Sequence, residues 1–184
     1  MRIIAGRLRG KIIQSPDGQQ TRPTADRARE CLFDILSSHL MKTGRCWGDV
    51  TFADFFAGSG AVGIEAFSRG AGSVTCVEND RQALACLKNN VAGLNGVHVA
   101  DQDATRPPVH DGVSILFMDA PYGRGLWQQA LIACRNAGWI DKKTLIVIET
   151  DKKLREELPV GFSLIQERSA GRNLFLFAKT EQEV

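Results

Sequence analysis

The sequence has no uninterrupted apolar run of about 18 residues, the length a membrane-spanning helix needs. Its first residues, MRIIAGRLRGK, lack the apolar stretch and small-residue cleavage site of a secretory signal. Cysteine is sparse and unpatterned. Cys31, Cys46, Cys76, Cys86 and Cys134 are odd in number, scattered, and never spaced as C-x-x-C. That argues against a disulfide framework and against a structural zinc site. The three histidines, His39, His98 and His110, do not fall at metal-ligand spacing with Cys or Asp. The expectation is a reduced, cytoplasmic protein with no membrane segment and no metal. Net charge is also low, at +2 over 184 residues.

What is present is ordinary for a globular protein: 43% hydrophobic and 24% charged residues. A chain of this length is expected to form one domain with one sizeable core and room for a small extra element. The charge, however, is uneven. Residues 1–30 carry seven cations (Arg2, Arg7, Arg9, Lys11, Arg22, Arg27, Arg29) against three acids (Asp17, Asp26, Glu30). A basic N-terminal arm on a near-neutral body points to a polyanionic partner, the ordinary alternative being a solvated basic face.

Residues 1–14 alternate loosely in hydrophobicity, with Gly6 and Gly10 bracketing a basic turn. A β-hairpin is predicted there, with Arg7, Arg9 and Lys11 at or near its tip. Ser15 to Gln20 reads as a loop. A helix is predicted from an N-cap at Thr24 to Leu40, with Cys31, Leu32, Ile35, Leu36 and Leu40 on its apolar face. Arg22, Arg27 and Arg29 at its start oppose the helix dipole, which favours a functional role for some of them.

Thr51–Gly63, TFADFFAGSGAVG, reads as a strand, an acid near its end, a glycine-rich turn and a helix start. Gly58, Gly60 and Gly63 fit G-x-G-x-x-G, the pattern of a tight turn, a close backbone approach to a ligand and close helix–strand packing. Strands and helices then alternate. Strands are predicted at 73–77, 97–100, 114–118 and 144–148, with helices ending near Val91 and over 126–137. A short helix over 151–158 and two final strands, 162–168 and 173–179, complete the chain. Such alternation implies a mostly parallel, doubly wound α/β sheet with ligands bound beyond the carboxyl ends of its strands. Those ends carry Asp54 and Gly58, Glu78, Asp103, and Asp119 with Tyr122.

Glu78 ends the second strand, where a carboxylate can accept both ribose hydroxyls of an adenosine-containing ligand. NAD and S-adenosylmethionine share that half, so the turn and Glu78 leave both open. Asp119-Ala120-Pro121-Tyr122 separates them. A carboxylate, a rigid turn and an aromatic ring suit an amine on a flat base. Asp119 accepts from the amine, Pro121 biases Ala120 towards an extended backbone with its carbonyl outward, and Tyr122 stacks on the base. Two acceptors would hold the nitrogen with its lone pair facing a methyl donor.

The chain resembles the amino-methylating branch of class I S-adenosylmethionine-dependent methyltransferases, whose signature is (N/D)-P-P-(Y/F). More closely, RIIAGRLRG, RPTADRARECLFDIL, DFFAGSGAVGIEAFSRGA and the strand-4 motif followed by RGL resemble the RsmD family of bacterial 16S rRNA guanine-N2 methyltransferases. The departure is Ala120, where the family has proline; the family uses that residue's main-chain carbonyl, which alanine retains.

The resemblance implies a Rossmann-like seven-stranded sheet of order 3-2-1-4-5-7-6 with an N-terminal β-hairpin extension. It divides the chain into a basic arm, 1–20, and a methyltransferase domain, 21–184. It also implies roles. Asp54, Ala57, Gly58, Ser59 and Gly60 line the methionine part of the cofactor, Glu78 with Asn79 takes the ribose, and Asp103 with Ala104 meets the adenine. Asp119, Ala120, Pro121 and Tyr122 position guanine, with Asp119 also near the cofactor. Arg2, Arg7, Arg9, Lys11, Arg22 and Arg27 contact RNA, and Arg22, Thr24 and Arg27 face the mouth of the site. The expected partner is the 16S rRNA of the small ribosomal subunit or its assembly intermediate, met by a monomer. Three alternatives compete. One is an N6-adenine or other exocyclic-amine methyltransferase. Another is a nicotinamide-dependent oxidoreductase, which leaves Asp119–Tyr122 unexplained. The third is a non-catalytic RNA-binding factor.

Overall fold

A seven-stranded sheet of order β3-β2-β1-β4-β5-β7-β6 organises the chain, the order implied by the family resemblance. The structure is a computed structural model and describes residues 1–16, 23–154 and 156–181, with the backbone alone for 23–25. Helix α1 spans Pro23–Lys42, β1 Thr51–Phe55, α2 Ala61–Ser68, β2 Ser73–Glu78, α3 Arg81–Val91, β3 Val97–Asp101 and β4 Ile115–Met118. Helix α4 (Leu126–Asn136), β5 (Leu145–Asp151), β6 (Phe162–Ala170) and β7 (Asn173–Thr180) follow. Strands β1 to β5 pair in parallel. β7 inserts antiparallel between β5 and β6.

Parallel strands covered on both faces become continuous apolar runs, and all four residues of β4 are buried. Alternation along the strands splits the core in two. Phe52, Phe117, Val147, Phe175 and Phe177 meet α1, α2 and α3 on one face. Ala53, Phe55, Met118, Ile148 and Leu176 meet α4 on the other. Gly63 lets α2 lie against the sheet: a Cβ there would stand 2.6 Å from the Cys76 Sγ. Helix α3 is capped by Asp80, whose carboxylate accepts from the N–H groups of Gln82 and Ala83 at 3.0 and 2.9 Å. Among the described residues no helix is long and apolar enough to cross a membrane.

The N-terminal segment folds back as predicted but is joined by one antiparallel bridge, Arg2 to Ile12. Its basic turn is docked rather than free. Glu65, fully buried on α2, accepts from the N–H groups of Ile4 and Ala5 at 2.7 and 3.0 Å. The Ser68 carbonyl and hydroxyl accept from the N–H groups of Arg7 and Leu8. Ile3 and Ile13 are buried against Ala61 and Ile64.

The structure corrects two local expectations. Helix α1 begins at Pro23, so Thr24 lies inside its first turn instead of capping it. The short helix expected over 151–158 is absent from the described residues of that stretch. There β5 runs on to Asp151, whose carboxylate accepts from the Lys153 N–H at 2.8 Å in a turn. Glu156 is drawn across to the Trp127 indole N–H and the Thr150 hydroxyl, at 2.9 and 2.7 Å. Long-range bonds of this kind override a local helix signal. The predicted loop from Asp17 and the position of Arg22 lie outside the described residues.

Candidate functional site

The carboxyl ends of β1, β2, β4 and β5 open onto one cleft of about 1000 Å³. Its floor at the β1 end is the glycine turn. Phe56 leaves the strand at φ 61, a left-handed conformation that costs energy in a bulky residue and concentrates at functional sites. Gly58 follows at φ 56, a left-handed conformation that favours glycine; it lines the cleft, and a Cβ there would meet nothing within 4 Å. Its N–H donates to Glu78 at 2.7 Å, while the other oxygen of Glu78 accepts from the N–H groups of Asn79 and Asp80, both at 2.8 Å. These donors orient the carboxylate at the end of β2 and tie it to the turn. Asn90 on α3 fastens the same turn to the N-terminal segment, donating to the carbonyls of Ser59 and Gln14 at 2.9 Å each.

Asp54 lies beneath, 2% exposed, accepting from the Gly63 N–H at 2.8 Å. Burial pushes its carboxyl up to about 7 against the relief of that hydrogen bond, and the charges of Asp119 and Glu78 add to the rise. Asp119 is open to the water of the cleft, but the enclosing walls push its carboxyl up to about 6. Glu149 is raised well above the usual range by burial, then by Asp119 and Asp54. Three carboxyls therefore meet at the ends of three adjacent strands, a cluster that favours a bound cation or hydrogen-bond donors. Asp103 differs: hydrogen bonds from the Thr105 N–H and hydroxyl, both at 2.8 Å, leave its carboxyl lowered, with the N–H the larger cause.

Of the cofactor residues expected from sequence, Asp54, Ala57, Gly58, Ser59, Glu78, Asn79, Asp103 and Asp119 line the cleft. Gly60 is buried behind its wall at φ 77, donating to the Ala57 carbonyl, and serves the turn. Ala104 is buried in the α4-side core. All four residues of the Asp119–Tyr122 turn face the cleft, with the Ala120 side chain tucked inward at 2% exposure and Tyr122 at 41%. Burial, then the charges of Asp119 and Glu149, push the Tyr122 phenol up, so the ring stays neutral.

The basic residues divide. Arg2, Arg7 and Arg9 are exposed and Lys11 is half-buried. The Arg7 guanidinium lies 3.8 Å from the centre of the Phe67 ring, which leaves its N–H edge available. Arg27 does not face the cleft. It lines a separate groove with Cys31, Asp34 and Arg168. The α1 face that closes the cleft carries Ala28, Arg29 and Leu32. A residue one position away on a helix points about 100° elsewhere, which explains the misplacement.

Arg29 donates to the Arg2 carbonyl at 2.7 Å and to Asp26 at 3.0 Å. Sequence reasoning also missed Glu149 and Asn173, which line the far wall. The apolar pattern of β5 stops at Ile148, and nothing local marks a residue of the antiparallel β7 as reaching the site.

The model of the family described as conserved hypothetical protein 95 matches residues 1–179. The ribosomal RNA small subunit methyltransferase D of Escherichia coli K12 is 33% identical over 188 residues, covering 100% of this chain and 91% of that protein. That of Haemophilus influenzae is 32% identical over 180 residues, covering 93% and 89%. Among solved structures, a putative methyltransferase from Escherichia coli superposes with a TM-score of 0.81 at 31% identity, covering 100% of this chain and 99% of that one. The chain therefore belongs to the conserved hypothetical protein 95 family, that of the ribosomal RNA small subunit methyltransferases D, enzymes whose chemistry implies a methyl donor.

Proposed function

We propose that this protein transfers a methyl group from S-adenosylmethionine to the exocyclic N2 of one guanine in the 16S rRNA of the small ribosomal subunit or its assembly intermediate. The observation that carries the reading is that the Asp119–Tyr122 turn and the Gly58 turn line one cleft. The residues present fit the cofactor. Gly58 leaves room for a ligand against the backbone, the oriented Glu78 suits ribose hydroxyls, and Asp103 suits the adenine, with Ala104 packed in the core behind it. Asp54 and Asp119 offer negative charge to the methionine part, with Ala57 and Ser59 lining the cleft beside them and Gly60 holding the turn from behind.

S-adenosylmethionine, when bound, supplies an activated methyl group on a cationic sulfur, so no nucleophilic side chain is required. The chain's own work is to hold the base. Asp119 and the Ala120 carbonyl accept from the exocyclic N–H groups, and Pro121 fixes the turn. Tyr122 stacks on the ring, and Asp119 is the acceptor for the amine proton that must leave. Alanine in place of the family's proline at position 120 keeps the carbonyl. The exposed Arg2, Arg7 and Arg9, with Lys11, form the arm within residues 1–20 that grips phosphates, and Arg27 offers a further phosphate contact in its separate groove on α1.

The test is incubation with radiolabelled S-adenosylmethionine and unmethylated small-subunit particles, then digestion to nucleosides. Label in N2-methylguanosine supports the reading. Label in N6-methyladenosine moves the substrate to adenine, and no label in rRNA overturns it.

A further inference from the structure

We propose that Glu149, held by Asn173, is the residue that selects guanine, by accepting the ring N1–H beside the amine that Asp119 takes. The inference rests on the guanine reading above and names the group that enforces it. Met118 and Ile148 are the last pair between β4 and β5, so Asp119, just past the end of β4, and Glu149 on β5 follow side by side. Alternation puts Glu149 on the same sheet face as Val147, the face that Asp54 and Phe117 also occupy. Both carboxyls line the cleft alongside Tyr122. One Glu149 oxygen is taken by the Asn173 amide, which reaches in from β7 and lines the same wall. That bond fixes the carboxyl group, and among the described residues no hydrogen bond occupies its second oxygen.

Two neighbouring acceptors match one edge of one purine. Guanine presents N1–H and the N2 amine side by side, both donors, whereas adenine presents an amine beside a ring nitrogen that only accepts. A donor on the ring nitrogen would also compensate the mutual repulsion of the carboxyls. The opposite arrangement is chemically distinct. A Glu149 that kept its proton would donate to an accepting ring nitrogen and reject guanine.

The discriminating substrate is 16S rRNA carrying 2-aminopurine at the modified guanine, assembled into small-subunit particles. 2-Aminopurine keeps the 2-amine but has a lone pair in place of N1–H. The native enzyme is expected to prefer guanine by about 100-fold or more in kcat/KM, because an unpaired buried acceptor is a strong rejection. Glu149→Gln presents an amide N–H to the base while Asn173 still donates to its oxygen. It is expected to cut that preference to within a few-fold, with S-adenosylhomocysteine binding by calorimetry unchanged within a few-fold. Asn173→Ala should reduce the preference partway.

A native enzyme that methylates both bases equally, or favours 2-aminopurine, overturns the proposal without any variant. So does a Glu149→Gln enzyme with the native preference. Failure of the native enzyme to methylate guanine at all would instead overturn the underlying function.

Discussion

In the proposed reaction, transfer depends on Asp119. Asp119→Ala removes the acceptor for the exocyclic amine without touching the glycine turn. The expected outcome is a loss of at least ~100-fold in methyl transfer, with S-adenosylhomocysteine affinity changed only a few-fold by calorimetry. A parallel, equally large loss of cofactor binding would make the cofactor contact its main role and remove the base contact from the proposal.

Asp54 and Asp119 also set a pH dependence. Their carboxyls sit at about 7 and about 6, raised from the ordinary value of 3.8. The folded protein thus keeps protons that the unfolded chain has already released. Stability should fall as pH rises from about 4 through 7, since the unfolded state binds fewer protons across that window. Thermal denaturation at pH 5 and pH 7.5 checks this, and Asp54→Asn should flatten the difference. A cation favours the ionised carboxyls. The affinity for S-adenosylmethionine, which carries the cationic sulfur, should therefore rise between pH 5.5 and 8 more than that for S-adenosylhomocysteine.

At the scale of elements, the glycine turn and the N-terminal segment form one mechanical unit through α2. Gly63 illustrates why helix and strand lie so close. Gly63→Ala brings a methyl within 2.6 Å of the Cys76 Sγ. Overpacking of this kind costs about 1–3 kcal/mol, read as a lowered melting temperature.

Glu65 carries the other half of the unit. It joins the N–H groups of Ile4 and Ala5 to the Arg69 guanidinium, whose Nε donates at 2.9 Å, while the Arg29 Nε lies 3.9 Å away. Glu65→Ala strands buried donors and cations together, a loss of about 3–5 kcal/mol for a broken buried pair. Hydrogen exchange at the Ile4 and Ala5 amides should accelerate accordingly. Protection equal to that of the native protein would show that the hairpin docks without Glu65.

At the scale of the whole molecule, the basic segment is held against α2 while Met1 and Pro16 line the cleft, so the cationic surface and the site share a rim. Replacing Arg7 and Arg9 together by alanine should weaken binding to small-subunit particles. It should also flatten the slope of log affinity against log salt by roughly 0.7–0.9 for each phosphate no longer neutralised. Cofactor binding should not change. An unaltered salt slope would place the RNA elsewhere on the surface.

Much of this was legible in the residue pattern. Short apolar runs and period-3.6 hydrophobicity located β1 to β4 and the three long helices, because covered parallel strands and amphipathic helices leave strong local marks. Asp54, Gly58, Glu78, Asp103 and Asp119 were legible because parallel topology sends every strand's carboxyl end to one side. The sheet order came from the family resemblance. Tertiary structure alone decided that Arg29 and not Arg27 turns inward, since two helical positions swing a side chain by about 200°. It alone brought Glu149 and Asn173 beside Asp119, because an antiparallel return strand sets its register through long-range hydrogen bonds that no local spacing encodes.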